Sequence, residues 1–155
     1  MKREIATILL MLAFASNINA QTNPEKRSKE YNLSKSVALS GYDPVAYFKP
    51  GKAITGKKDI SVVFEGVTYY FSTQANKDIF LKSPSVFEPQ YGGWCAYAMG
   101  STGEKVEVDP ETFKIIDNKL YLFYNAFFNN TLKTWNKDEA NLKNKADNNW
   151  KKIIK

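Results

Sequence analysis

The sequence predicts a small single-domain α+β protein, and three observations carry that expectation. Two pairs of β-branched and aromatic runs, residues 60–64 with 67–71 and 112–116 with 119–123, flank Glu65-Gly66 and Asp117-Asn118. The first pair reads as a β-hairpin, and in the second Asp117-Asn118 tolerates the left-handed backbone of a tight hairpin turn. Short helical signals lie between the hairpins, and from about residue 126 the apolar positions recur at helical spacing. Phe128, Leu132 and Trp135 fall four and three apart, and Leu142, Ala146, Trp150 and Ile153 continue on one face.

The elements follow in chain order. Lys2 and Arg3 precede an apolar run over 5–15, and small Ala20 precedes polar Gln21. That is the layout of a secretory signal peptide over residues 1–20, with an apolar stretch too short to span a bilayer. Export, to a periplasm or out of the cell, is the expected localisation, and no transmembrane segment is expected in the mature chain. Residues 21–36 are polar without apolar periodicity and read as a flexible lead-in to a domain over 37–155. Asp43-Pro44 has the form of a cap followed by proline at the first helical position, leading into a short turn over 45–48. Ser72 or Thr73 caps a helix through Leu81 with Ile79 and Phe80 on its buried side, stopped by Ser83-Pro84. Asp138 is the expected cap of the last helix, and no internal repeat is visible in the sequence.

Composition narrows the chemistry. The chain has 155 residues, 22 Lys and Arg against 16 Asp and Glu, one cysteine and no histidine. Histidine-based hydrolysis and histidine metal clusters are therefore excluded. Arg27 is the only arginine after residue 20, so two-pronged readout of bases or phosphates has little to work with, and no nucleic-acid partner is expected. In an oxidising compartment a lone thiol has no partner within its own chain, which leaves it a buried small hydrophobe, a ligand or a reactive group.

That thiol, Cys95, sits in Tyr91-Gly92-Gly93-Trp94-Cys95-Ala96-Tyr97. Two glycines permit close approaches and three aromatics can wall off a sulfur, which outlines a small pocket with Tyr42, Tyr91, Gly92, Gly93, Trp94, Cys95 and Tyr97 as ligand-binding candidates. Met99 lies four residues on. If the segment is helical, a thiolate and a thioether share a face and suit Cu(I), making Cys95 and Met99 the metal candidates and copper the candidate cofactor. In a redox reading, Cys95 is oxidised and restored by an external thiol, and its activation would have to come from a helix start or from Lys105. The thiol is expected to be accessible.

Gly41-Tyr42-Asp43-Pro44-Val45-Ala46, then Phe64-x-Gly66-x-x-Tyr69-Tyr70-Phe71-Ser72, then Phe80, Pro84 and Phe87 resemble the YHS domain. The wider stretch 38–150, with Pro89-Gln90-Tyr91-Gly92-Gly93-x-Cys95-Ala96, is similar to the exported stand-alone branch of that family. In metal-binding relatives, cysteines stand where this chain has Ala46, Ser72 and Asn76, so the resemblance implies that the family's zinc- or copper-type cysteine cluster is missing here. Some relatives carry selenocysteine at the position of Cys95, which implies a reactive or metal-facing sulfur. The function expected from all this is an accessory domain binding a soft metal ion or small ligand at Cys95. A thiol-dependent redox protein is the alternative, and a non-catalytic structural or interaction domain the third. An envelope protein, a small ligand or a metal is the expected partner.

Overall fold

A computed structural model describes residues 23–155, and the expected leader over 1–20 lies outside the described residues. The chain runs α1 (Pro24–Glu30), β1 (Leu33–Ser34), β2 (Val37–Ala38), β3 (Lys57–Phe64), β4 (Val67–Phe71), α2 (Gln74–Lys82), α3 (Pro84–Phe87), α4 (Ala96–Ser101), β5 (Asp109–Ile116), β6 (Lys119–Phe123), β7 (Asn125–Ala126), β8 (Asn129–Asn130), α5 (Thr131–Trp135) and α6 (Glu139–Ile154). A four-stranded sheet is ordered β1-β2-β4-β3, and β5-β6 and β7-β8 form separate two-stranded pairs. The α+β class and both expected hairpins are present, with positive φ at Glu65, Gly66, Asp117 and Asn118 in the two turns.

The structure contains an internal repeat that the sequence hides. At the spacing that separates Asp43 from Cys95, the backbone of the first half recurs in the second. Strand β3 pairs with β4 through Lys57↔Phe71 and Ser61↔Tyr70 with a bulge between, and β5 pairs with β6 through Asp109↔Phe123 and Phe113↔Leu122 with a bulge at the same place. Val37 lies parallel to Thr68 and Pro89 to Leu120. Leu39, Ser40 and Gly41 all have positive φ, as do Tyr91, Gly92 and Gly93, so each half carries a three-residue left-handed turn at the same repeat position. The hydrogen bond from Asp43 N to the Ile54 carbonyl (2.8 Å) is matched by Cys95 N to Val106 O (2.9 Å), and the Ala46 and Ala98 carbonyls accept from Gly51 N and Gly103 N.

Two cores result. Val45, Tyr47, Val67, Tyr69, Phe71 and Phe80 build the first, and Tyr91, Met99, Tyr121, Phe123, Trp135 and Leu142 the second. Strand β6 serves both: Leu120 and Leu122 face the first core while Tyr121 and Phe123 face the second. A strand buried on both faces reads as a continuous apolar run, which is what Leu-Tyr-Leu-Phe is.

Three expectations are corrected. Residues 24–30 are helix rather than a flexible lead-in, because Arg27 is buried and paired with Glu88, while its Nε donates to the Glu65 carbonyl at 3.2 Å. Ile79 is 40% exposed, because Phe80 is the residue that α2 inserts, with its ring centroid 4.9 Å from Tyr69 and 5.2 Å from Phe71. At about 100° per residue, seating Phe80 turns Ile79 outward. Phe128 is not on a helix face: Phe127 and Phe128 form the turn between β7 and β8, are 90% and 112% exposed, and have φ of 50° and 64°. The helix starts later, where the Asn130 side chain caps Leu132 N at 3.1 Å.

Candidate functional site

Cys95 stands immediately before α4, after the left-handed turn Tyr91-Gly92-Gly93. Its side chain is 0% exposed, which corrects the expectation of an accessible thiol. The sulfur accepts from Tyr124 N at 3.3 Å and lies 3.5 Å from Thr131 Oγ1. Thr131 in turn donates its backbone N–H and its hydroxyl to the Tyr124 carbonyl, at 3.0 and 2.9 Å. The β7-β8 hairpin is thus rooted on the two residues that touch the thiol. Its two ends are tied together over the sulfur, while its Phe127-Phe128 tip projects into solvent.

The glycines beside Cys95 do not leave room for a ligand. A methyl group on Gly92 would sit 2.8 Å from Tyr31 Cδ1 and 2.9 Å from the tip of Trp150, so the space that glycine opens is filled by rings from α1's exit and from α6. The N-terminal segment 24–32, which lies as a strap across this face, also reaches the neighbouring residues. Asn32 N donates to the Gly92 carbonyl at 2.9 Å, and Trp94 Nε1 donates to the Glu30 carbonyl at 2.7 Å. Lys105, considered as an activator of the thiol, is paired with Glu30 and lies 5.8 Å from the centroid of the Trp94 ring. Its partners belong to the strap.

The other candidates divide between the two cores. Tyr91, Trp94, Tyr97 and Met99 pack in the second core, near Cys95 in sequence and in space. Tyr42 belongs to the first, with its hydroxyl donating to Glu111 at 3.1 Å. Burial, followed by the charge and hydrogen bond of Asp147, pushes the Tyr91 phenol well up, so its hydroxyl is a donor at neutral pH.

Met99 is buried one turn after Cys95, and its N–H donates to the Cys95 carbonyl at 3.0 Å. Two sulfurs are short of a selective donor set, and the thiol already faces an N–H and a hydroxyl. Among the described residues no group of three or more Cys, His, Asp or Glu side chains is placed to share a metal ion. The residues present do not fit a resident copper ion.

Sequence reasoning missed the first half's counterpart of Cys95. Asp43 is completely buried and gathers five donors: Val45 N (2.9 Å) and Ala46 N (3.3 Å) on Oδ1, and Ser72 N (2.8 Å), Ser72 Oγ (2.6 Å) and Asn76 Nδ2 (2.7 Å) on Oδ2. By repeat position Asp43 matches Cys95, and Ser72 N matches Tyr124 N. The signal was present in Asp43-Pro44 as a cap, but the long-range donors Ser72 and Asn76 leave no trace in local sequence.

A second polar centre ties the strap down. Arg27 is paired with the Glu88 carboxylate, which also accepts from the Tyr69 hydroxyl, and the Arg27 guanidinium donates to Tyr31 Oη at 2.9 Å. Burial works against the Arg27 charge, but Glu88 outweighs it and the guanidinium stays protonated. Burial, with Glu88 next, pushes Tyr31 up to about 12. Among the described residues no helix is long and apolar enough to cross a membrane. Comparison with known proteins finds no matching family model, no matching curated protein and no matching solved structure.

Proposed function

We propose that this chain is an exported, non-catalytic accessory domain of the YHS type, which binds or docks rather than transforms, and in which Cys95 is an interior latch. The observation that carries the reading is the equivalence of Cys95 and Asp43. Both stand after a left-handed turn, both are fully buried, and both receive the first backbone N–H after the second strand of the following hairpin. A position that holds a saturated carboxylate in one half and a hydrogen-bonded sulfur in the other serves the backbone in both. The YHS correspondence is supported by the meeting of Ala46, Ser72 and Asn76 on Asp43, since positions that share a cluster in relatives should lie together here. Export rests on the leader pattern alone, and an envelope partner on export.

Native intact-mass spectrometry tests this against both chemical alternatives. After exposure to Cu(I) and buffer exchange, and separately after peroxide, the folded protein should retain the mass of the untreated chain. One retained copper lost in Cys95→Ser would establish the soft-metal reading, and rapid oxygen addition at Cys95 in the folded state the redox reading. N-terminal sequencing of protein from the native envelope should begin near Gln21, and a sequence beginning at Met1 would refute export.

A further inference from the structure

The repeat makes one feature of the first half conspicuous. In the second half, the outward side of the left-handed turn is filled by protein, with Tyr31 and Trp150 against Gly92. The equivalent residue in the first half is Ser40, and no strap covers it. Ser40 instead lines an open cleft of about 480 Å³ together with Ser34, Lys35, Val37, Lys58 and Tyr70. That volume falls within the roughly 300–1,000 Å³ of small-molecule sites. The other equivalents explain why the second half closes. Tyr70 matches Leu122, which turns into the first core, and Lys58 matches Pro110.

The chemistry of the cleft is one-sided. Lys35 and Lys58 make no ion pair among the described residues, and no carboxylate belongs to the lining. The hydroxyls of Ser34, Ser40 and Tyr70 have no protein partner among the described residues. Five polar side chains, two of them cationic and none a carboxylate, therefore line the cleft over an apolar floor of Val37 and the Tyr70 ring, which packs on Gly41. Two lysines contribute charge without the rigid fork of arginine, so they suit a compact anionic group reached from several directions. The aromatic floor suits a flat or apolar body.

We propose that this cleft is a binding site for a small organic anion, an apolar or aromatic body carrying one carboxylate or phosphate group. The inference rests on the reading of the chain as a binding domain, and it gives that domain a site lined by none of the residues that touch the Cys95 sulfur.

The test is an NMR titration of the isotope-labelled protein with benzoate, phenyl phosphate and inorganic phosphate, with benzyl alcohol as the uncharged control. Saturable shifts should centre on the amides of Ser40, Gly41, Lys58 and Tyr70 for at least one aromatic anion, and benzyl alcohol should produce none. Comparing benzoate with phenyl phosphate decides which anionic group is preferred, and inorganic phosphate shows whether the aromatic body contributes. Lys58→Glu combined with Lys35→Asn should weaken binding at least ten-fold at unchanged thermal stability, Asn being chosen because Lys35 has a φ of 49° that Asn tolerates. Absence of saturable shifts at the cleft with every anion, an equal response to benzyl alcohol, or undiminished binding by the double variant would each overturn the proposal. Shifts centred instead on Cys95, Tyr124 and Thr131 would overturn it too, while leaving the chain a binding domain.

Discussion

The two halves of the repeat hold the same backbone with different atoms. In the first, a carboxylate collects five donors from four residues, two of them far along the chain. In the second, a sulfur accepts one N–H at 3.3 Å and lies 3.5 Å from the Thr131 hydroxyl, whose own proton goes to the Tyr124 carbonyl. Sulfur is a weak acceptor, so the polar part of the second latch contributes less, and packing has to supply the rest. Trp135 and Met99 are fully buried beside it, and α6 closes over them with Leu142 and Ala146. What the pair teaches is that the left-handed turn, the following cap position and the N–H after the hairpin make a reusable latch, whose acceptor can be strong and lean on polar groups or weak and lean on a core.

Alkali should break both halves together, and this is the largest effect expected. Burial raises Tyr31 to about 12, with Glu88 assisting, and Tyr121 to about 12, with Asp147 assisting. Tyr47, Tyr69 and Tyr91 are also raised, with burial the leading cause in each. A phenol whose folded value lies above its unfolded value of about 10 contributes stability that is complete below pH 10 and lost as pH rises through the folded value. Circular dichroism and tyrosinate absorbance should therefore change together between about pH 10 and 12. Tyrosinate forming in a single transition centred at about pH 10, the free value, with the fold intact would show these phenols to be open to water.

Substitution separates the latches. Asp43→Ala strands buried donors and should cost about 3 kcal/mol or more in urea unfolding. Cys95→Ala removes a weak acceptor and leaves a small void, at about 1–2 kcal/mol. Equal costs would mean that the two acceptors carry the same load, and the contrast between polar and packed latches would fail.

The smallest effect concerns the tip of the β7-β8 hairpin. Phe127 and Phe128 occupy left-handed positions and are almost wholly exposed, so their side chains gain nothing from the fold that offsets the backbone strain. Phe127→Asn with Phe128→Gly should raise stability by up to about 1 kcal/mol. A loss of stability on making this change would show that the rings pack on the domain in solution.

Much of this fold was legible because its signals are local. The turn dipeptides Glu65-Gly66 and Asp117-Asn118 require left-handed backbone, and Thr73 caps α2 by accepting from Asn76 N at 3.1 Å. The strap was not legible, since Arg27 is a polar residue whose burial depends on Glu88, Tyr69 and Tyr31 arriving from elsewhere. The repeat was hidden because what recurs is backbone and hydrogen bonding. Gly41 and Gly93, Ala46 and Ala98, Tyr69 and Tyr121, and Phe71 and Phe123 agree, but the acceptors Asp43 and Cys95 share no side-chain chemistry. Gly92-Gly93 was legible as a place of close approach, whereas its use could not be read locally, because the groups filling it, Tyr31 and Trp150, come from either end of the domain.

The central claim is that Cys95 is an interior latch, and the rate of its reaction with a bulky thiol reagent, measured across a urea series, tests it most directly. The account predicts labelling in water no faster than global unfolding permits, rising with urea along the slope of the equilibrium transition. Fast labelling in water, independent of urea below the transition, would contradict it and place the thiol within reach of solvent in the native fold.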